Sequence, residues 1–306
     1  MQGVTRSKTE TDGVAGEDAQ AARPTFSIVA TCKDRLEHLK IALTGFMAQP
    51  DAEIVVVDYS CPQHAGAYVR EACPDACVVE VPDRPHFNLA DARNMGAASA
   101  RGDILLFCDA DTLLADNVTA RLAGLLEPSS FICFGGKDNS LRGICAVPRE
   151  AFDLVEGYDD VIEGYGGEDL DFYFRLQLAG YTSISIDAEG FASSQPHGNE
   201  LRTAHYRIKN IKLSFLVSRA YRLCKELTLQ IQRRPELPRA RREALWKLAR
   251  QTIAAAQREG FRNGIEIRIP VPGLTTSGFL HEWEWSRELV VKMKLKPNPR
   301  PRDAPL

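Results

Sequence analysis

Between residues 25 and 111 the chain repeats one rhythm: a short apolar run rich in β-branched residues, then a longer stretch with helical apolar spacing. The runs occupy residues 25–30, 53–57, 77–81 and 103–108, and the stretches between them residues 36–47, 64–72 and 88–100. In the first stretch Leu36, Leu39, Leu43 and Phe46 recur at intervals that share one helix face. Short apolar strands alternating with helices imply a mostly parallel sheet with helices on both faces, joined by right-handed crossovers. The expectation is an α/β fold of Rossmann-like kind. Such a sheet brings the ends of its strands, and the polar residues that follow them, to one edge.

Those strand ends carry chemistry. The run Ile104-Leu105-Leu106-Phe107-Cys108 leads straight into Asp109-Ala110-Asp111. Two carboxylates one residue apart offer the oxygen ligands that suit Mg²⁺ or Mn²⁺, ions that usually accompany a diphosphate. Alone the triplet is a weak signal, because paired acids are common in solvated turns. The first run leads into Thr31-Cys32-Lys33-Asp34-Arg35 and the second into Asp58-Tyr59-Ser60, so both clusters converge on the edge that holds Asp109. There Asp58 can accept from a base N–H or ribose hydroxyls, and Arg35 can reach a phosphate. Two further segments are Phe87-Asn88-Leu89-Ala90-Asp91-Ala92-Arg93-Asn94-Met95-Gly96 and Glu163-Gly164-Tyr165-Gly166-Gly167-Glu168-Asp169-Leu170-Asp171. Glycines let a backbone approach a ligand closely, and acids opening a helix are favoured by its dipole. Plain helix capping accounts for Glu168-Asp169 equally well. An EF-hand starting at Asp109 is excluded, since Leu113, Leu114 and Ala120 stand where a ligand, the turn glycine and the bidentate glutamate belong.

Taken in this order, the R-N-x-G helix, the D-x-D and the G-G-E-D-x-D segment resemble nucleotide-sugar-dependent glycosyltransferases of the GT-A fold, over roughly residues 25–200. The N-terminal half is similar to the large inverting family-2 type. Residues 164–175 resemble the W-G-G-E-D-x-D segment of the β-1,4-galactosyltransferases and bacterial chondroitin-type polymerases. The resemblance implies a metal-dependent, inverting transfer of a hexose or N-acetylhexosamine from a nucleotide sugar, a UDP-sugar by the family pattern, to an acceptor hydroxyl. It implies that Asp58 contacts the base, with Thr31 and Arg35 lining the nucleotide pocket and Arg93 and Asn94 flanking the donor. Asp111 becomes the main ligand of Mn²⁺ or Mg²⁺, and Asp109 binds ribose or sugar directly or through the metal. Ala110, Gly166 and Gly167 complete the donor contacts. Glu168 holds sugar hydroxyls and Asp169 is the catalytic base. His197, in Pro196-His197-Gly198-Asn199, matches a downstream metal ligand, with His205 as the alternative. Two residues depart from the pattern: Tyr59 stands where a second Asp is common, and Tyr165 replaces a Trp. Two other functions stay open. Sugar nucleotidyltransferases share the D-x-D but carry a Gly-rich loop after the first strand, which residues 31–35 lack; a non-catalytic sugar-binding module needs no base.

Beyond the D-x-D the spacing predicts short strands at 131–134 and 143–147 around a Gly-Gly-Lys-Asp-Asn turn, a helix at 168–179 and a strand at 182–186. Two long helices follow, at about 204–232 and 239–259, parted by Pro235 and Pro238. The expected organisation is a disordered leader (1–23), a GT-A catalytic domain (24–200), a helical C-terminal extension packing on it (201–295) and a Pro-rich tail (296–306). Residues 201–250 hold fourteen Lys/Arg against three Asp/Glu in a chain of net charge -3. Solvated basic helix faces and peripheral contact with an anionic membrane both account for that excess. The acceptor is a saccharide, a lipid-linked or a small molecule; no nucleic-acid partner is expected. The cysteines lie mostly in apolar runs and lack zinc spacing. With no apolar run of membrane-spanning length and no hydrophobic segment in residues 1–23, a cytoplasmic location is expected.

Overall fold

The computed structural model describes residues 25–135, 141–196, 198, 200, 203–270 and 288–294. The expected leader and tail, and most of the Gly-Gly-Lys-Asp-Asn turn, lie outside the described residues. Strands β1 (Phe26–Cys32), β2 (Ala52–Asp58), β3 (Cys77–Glu80) and β4 (Ile104–Asp109) run parallel, as the opening rhythm predicts. β6 (Ser130–Gly135) pairs parallel with β8 (Thr182–Asp187), and β7 (Cys145–Pro148) runs antiparallel between β4 and β6. The seven-stranded order is β3-β2-β1-β4-β7-β6-β8, with β7 the reversed strand. A separate ribbon pairs β5 (Thr112–Leu114) with β9 (Ala192–Ser194).

Period-two alternation distributes each central strand between two cores. Ile28, Ala30 and Cys32 of β1, with Ile104, Leu106 and Cys108 of β4, face α1 (Leu36–Met47), α2 (Ala65–Ala72) and α4 (Val118–Ala123). Val29, Leu105 and Phe107 face α3 (Leu89–Ser99), α5 (Arg149–Leu154) and α6 (Glu168–Leu178). Each fully buried Val, Leu, Ile or Phe contributes roughly 1.5–3 kcal/mol, so the sheet holds its own edge rigid. Asn88 caps α3 by accepting from the Asp91 amide at 3.1 Å. Gly96 lets α3 ride on the sheet: a Cβ there would stand 2.4 Å from Val29 Cγ1 and 2.9 Å from Val57 Cγ2.

The C-terminal region is helical over α7 (Ile211–Gln232) and α8 (Arg239–Arg258). α7 begins at Ile211 rather than near 204, because Asn210 caps it by accepting from the Leu213 amide at 3.0 Å. Val217, Tyr221, Leu245, Trp246 and Ile253 form the core of this region, and Val161 and Ile162 from the segment ahead of α6 join it. The helical expectation for 201–295 does not extend to β10 (Ile265–Pro270) and β11 (Glu288–Met293), an antiparallel ribbon. Buried Ile265, Ile267 and Ile269 alternate there with exposed Glu266 and Arg268, the period of a strand. All eight cysteines are free thiols. Among the described residues no helix is long and apolar enough to cross a membrane.

Candidate active site

Strand register assembles the first wall. Thr31 of β1 stands opposite Asp109 of β4, and Cys32 opposite Asp58 of β2. A cavity of about 620 Å³ opens above this edge, bounded there by Thr31, Lys33, Arg35 and Asp109 to Asp111. The Asp109 amide donates to Thr112 Oγ1 at 3.0 Å and closes the D-x-D turn. The Gln195 amide donates to the Asp111 carbonyl at 2.9 Å, tying the segment after β9 to the same turn. Arg35 Nη1 lies 3.6 Å from the Asp111 carboxylate. Lys33 is a brace: its ammonium donates to the carbonyls of Tyr59 (3.1 Å), Ser60 (3.1 Å) and Arg84 (2.7 Å), and burial lowers its pKa.

The start of α6 lines the same cavity. Gly166 and Gly167, at φ +84° and +99°, take the left-handed conformation that turns the chain into the helix. A Cβ on Gly166 would stand 2.4 Å from the Phe215 ring of α7, so both dihedral and space require glycine. Glu168 is buried, and desolvation with the neighbouring Asp169 charge pushes its carboxyl up to about 8. Burial also raises Asp169, whose Oδ1 accepts from the Leu170 amide at 2.8 Å. Arg93, fully buried, lies beside both acidic pairs. Its Nη2 lies 3.0 Å from Asp109 Oδ1, its Nη1 3.9 Å from Glu168 Oε1, and its guanidinium 5.1 Å from the centre of the Tyr158 ring. One buried cation thus spans two acidic centres.

Residues 27–139 match the family model for glycosyl transferase family 2, and residues 133–198 match that for the N-terminal domain of galactosyltransferase. Among solved structures the chain is similar to a mannosyltransferase from Pyrobaculum calidifontis in complex with GDP-Man and Mn²⁺, at 20% identity and TM-score 0.52, over 80% of this chain and 77% of that one. The chain carries a glycosyltransferase domain of the GT-A fold. TarS 1-349 from S. aureus is similar at 13% identity and TM-score 0.51, over 78% of this chain and 74% of that one. At these identities the structural likeness is one of fold. No curated protein sequence matches the chain.

Of the described residues expected at the glycosyltransferase site, all but Asp58 and Asn94 line the cavity. Both Asp58 oxygens accept backbone amides, from Cys61 and Gly66 at 2.7 Å each, and so fold the loop that opens α2. Asn94 donates to the Tyr158 carbonyl and accepts from the Tyr158 amide, both at 2.8 Å, clasping α3 to the segment ahead of α6. His197 lies outside the described residues. His205 lines the cavity, and its Nε2 is 2.8 Å from Asp34 Oδ2. Tyr59 donates to Asp91 at 2.5 Å and meets the Phe87 ring edge-on, so it builds the wall behind the site. Tyr165 meets Tyr206 and Phe215 edge-on at 5.8 and 5.5 Å, extending an apolar platform along the cavity.

Sequence reasoning did not place the basic residues of α7. Arg219 and Arg222 line the cavity. Lys225 is fully buried, its Nζ 2.7 Å from Asp159, 3.1 Å from Asp171 and 2.7 Å from Glu236. These three carboxylates sit close enough to hold a metal ion, but the Lys225 ammonium stands among them. Arg175 (2.8 Å from Asp171) and Arg242 (2.7 Å from Asp159) complete a network of three acids and three bases that anchors α6 to α7 and α8. Arg207 and Arg250 pair with Glu163. The positive excess of residues 201–250 is therefore divided among core, cavity and surface. The signal for the cavity share was present: Phe215, Ser218, Arg219 and Arg222 have the spacing of one helix face.

Proposed function

We propose that the chain moves a sugar from a nucleotide sugar, a UDP-sugar, to an acceptor hydroxyl with inversion, in a reaction that needs a divalent cation. The observation that carries this reading is that two acidic pairs, Asp109 with Asp111 and Glu168 with Asp169, line one cavity. The two aspartates form an oxygen donor set of the kind Mn²⁺ and Mg²⁺ take. Asp109 and Asp111 would hold such a cation, which when bound would supply charge neutralisation for the departing diphosphate. Arg35, beside Asp111, adds a second positive charge to that end of the donor. Asp169, whose carboxyl burial raises from its ordinary value, accepts the proton of the attacking hydroxyl. Glu168, with a pKa of about 8, is protonated at neutral pH and donates a hydrogen bond to a sugar oxygen. A single attack on the face of the anomeric carbon opposite the departing diphosphate inverts it.

The test is a screen of UDP- and GDP-sugars for Mn²⁺-dependent hydrolysis or transfer by the full chain. Asp169→Asn retains donor binding and loses about 10²–10⁴ in turnover. Wild-type turnover by that variant rules out the base, and no metal-dependent turnover of any donor rejects the reading.

A further inference from the structure

Resting on that reading, we propose that the acceptor is an anionic saccharide, and that Arg219 and Arg222 of α7, with Arg142, bind its carboxylate, sulfate or phosphate beside Asp169. α7 has two faces. Val217, Ala220, Tyr221 and Cys224 are buried in the C-terminal core, while Phe215, Ser218, Arg219 and Arg222 line the cavity. Arg219 and Arg142 are exposed to the cavity and make no ion pair among the described residues. Arg222 is half-buried, and its one ion pair among the described residues is a loose contact with Glu226 at 3.5 Å. Ser218 is 1% exposed, and its Oγ has no hydrogen-bond partner among the described residues. The wall thus offers two unpaired guanidinium groups, a weakly held third and an unused hydroxyl. Such a cluster on one side of a cleft draws in anions.

The donor's charge is met elsewhere, at Arg35 and the D-x-D. Arg222 is close enough to Asp169 to oppose part of the rise that burial causes there. An acceptor whose hydroxyl reaches Asp169 therefore lies near Arg222, in the cavity that Arg219 and Arg142 also line. Their planar forks match carboxylate, sulfate and phosphate oxygens in a bidentate way that lysine does not.

The experiment incubates the full chain with Mn²⁺, UDP-glucose, UDP-galactose and their N-acetylhexosamine counterparts. Matched acceptors are methyl glucoside, methyl glucuronide, glucose 6-sulfate and glucose 6-phosphate, with transfer read by mass spectrometry and donor hydrolysis followed in parallel. The expected result is at least a tenfold higher kcat/KM for a charged acceptor, with a KM that rises with salt. Arg219→Gln with Arg222→Gln lowers that preference tenfold or more, to that of the neutral glycoside, and leaves Mn²⁺-dependent donor affinity, read by calorimetry, unchanged. The charged acceptor that is preferred identifies the anion. Equal use of the neutral glycoside, or no use of a charged one, overturns the inference while donor turnover keeps the glycosyltransferase reading intact. Loss of donor affinity in the double variant also overturns it, since the arginines then hold the diphosphate. Absence of metal-dependent donor turnover in every arm defeats the underlying reading and this inference with it.

Discussion

Lys225→Met removes the ammonium that three buried carboxylates share. Lys225 touches Asp159, Asp171 and Glu236 within 3.1 Å, and none of these side chains is more than 3% exposed. Arg175 and Arg242 remain, so three negative charges would face two positive ones in the dry interior. Leaving a buried charge without its partner costs about 3–5 kcal/mol. Against a total stability on the order of 5–15 kcal/mol, that is a large share. At about 2–4 °C per kcal/mol for a chain of this size, the melting temperature falls by roughly 6–20 °C. Thermal and urea denaturation at neutral pH, followed by circular dichroism, measures the loss. Adding Glu236→Gln restores charge balance and recovers most of it, which a double-mutant cycle reads directly. Because Asp171 stands two residues after Asp169 on α6, the single variant also lowers kcat more than donor affinity. A loss below about 1 kcal/mol, or a double variant no better than the single one, refutes the charge-balance argument.

Asp111→Ala abolishes metal-dependent donor binding in calorimetry; an unchanged Mn²⁺ requirement removes the D-x-D from the metal site. Without added metal, folded Glu168 (pKa about 8) keeps a proton that the unfolded carboxyl, near 4.5, has released. Folded protein then binds more protons over that window, so stability falls as pH rises from about 4.5 to about 8. Glu168→Gln flattens this slope in pH-dependent urea melts, and an unaltered slope disproves the assignment. Gly96→Ala forces a methyl against Val29 and Val57 and destabilises by about 1–3 kcal/mol, checked by thermal melting; a neutral result means α3 can shift on the sheet.

The N-terminal half of the fold was legible because its signals are local. Apolar runs of period two and helices of period 3.6 mark β1 to β4 and α1 to α3 without reference to anything distant. Less was legible after Asp111. The three-residue strands β5 and β9 and the six-residue helices α4 and α5 are too short to carry a period. β10 was legible in principle, since Ile-Glu-Ile-Arg-Ile alternates strictly, but at six residues it is a weak signal beside the two long helices before it. At the site, side-chain direction was the limit. Asp58 and Asn94 carry the right chemistry at the right edge, yet each spends its polar atoms on backbone amides and carbonyls that hold the loops.

By itself the sequence determined that strand ends meet at one edge, that the D-x-D stands there, and that a glycine-led helix start brings two more acids. Parallel connectivity is enough for that, because chain order and strand direction fix where each turn emerges. Only the tertiary structure decided what joins those parts. It put Arg93 beside both Asp109 and Glu168, buried Lys225 among acids as far as 66 residues away, and set Arg219 and Arg222 along the cavity that Asp169 lines. Those outcomes depend on which face of a helix meets which neighbour, and on charges compensated across the fold, neither of which is encoded in any short stretch of chain.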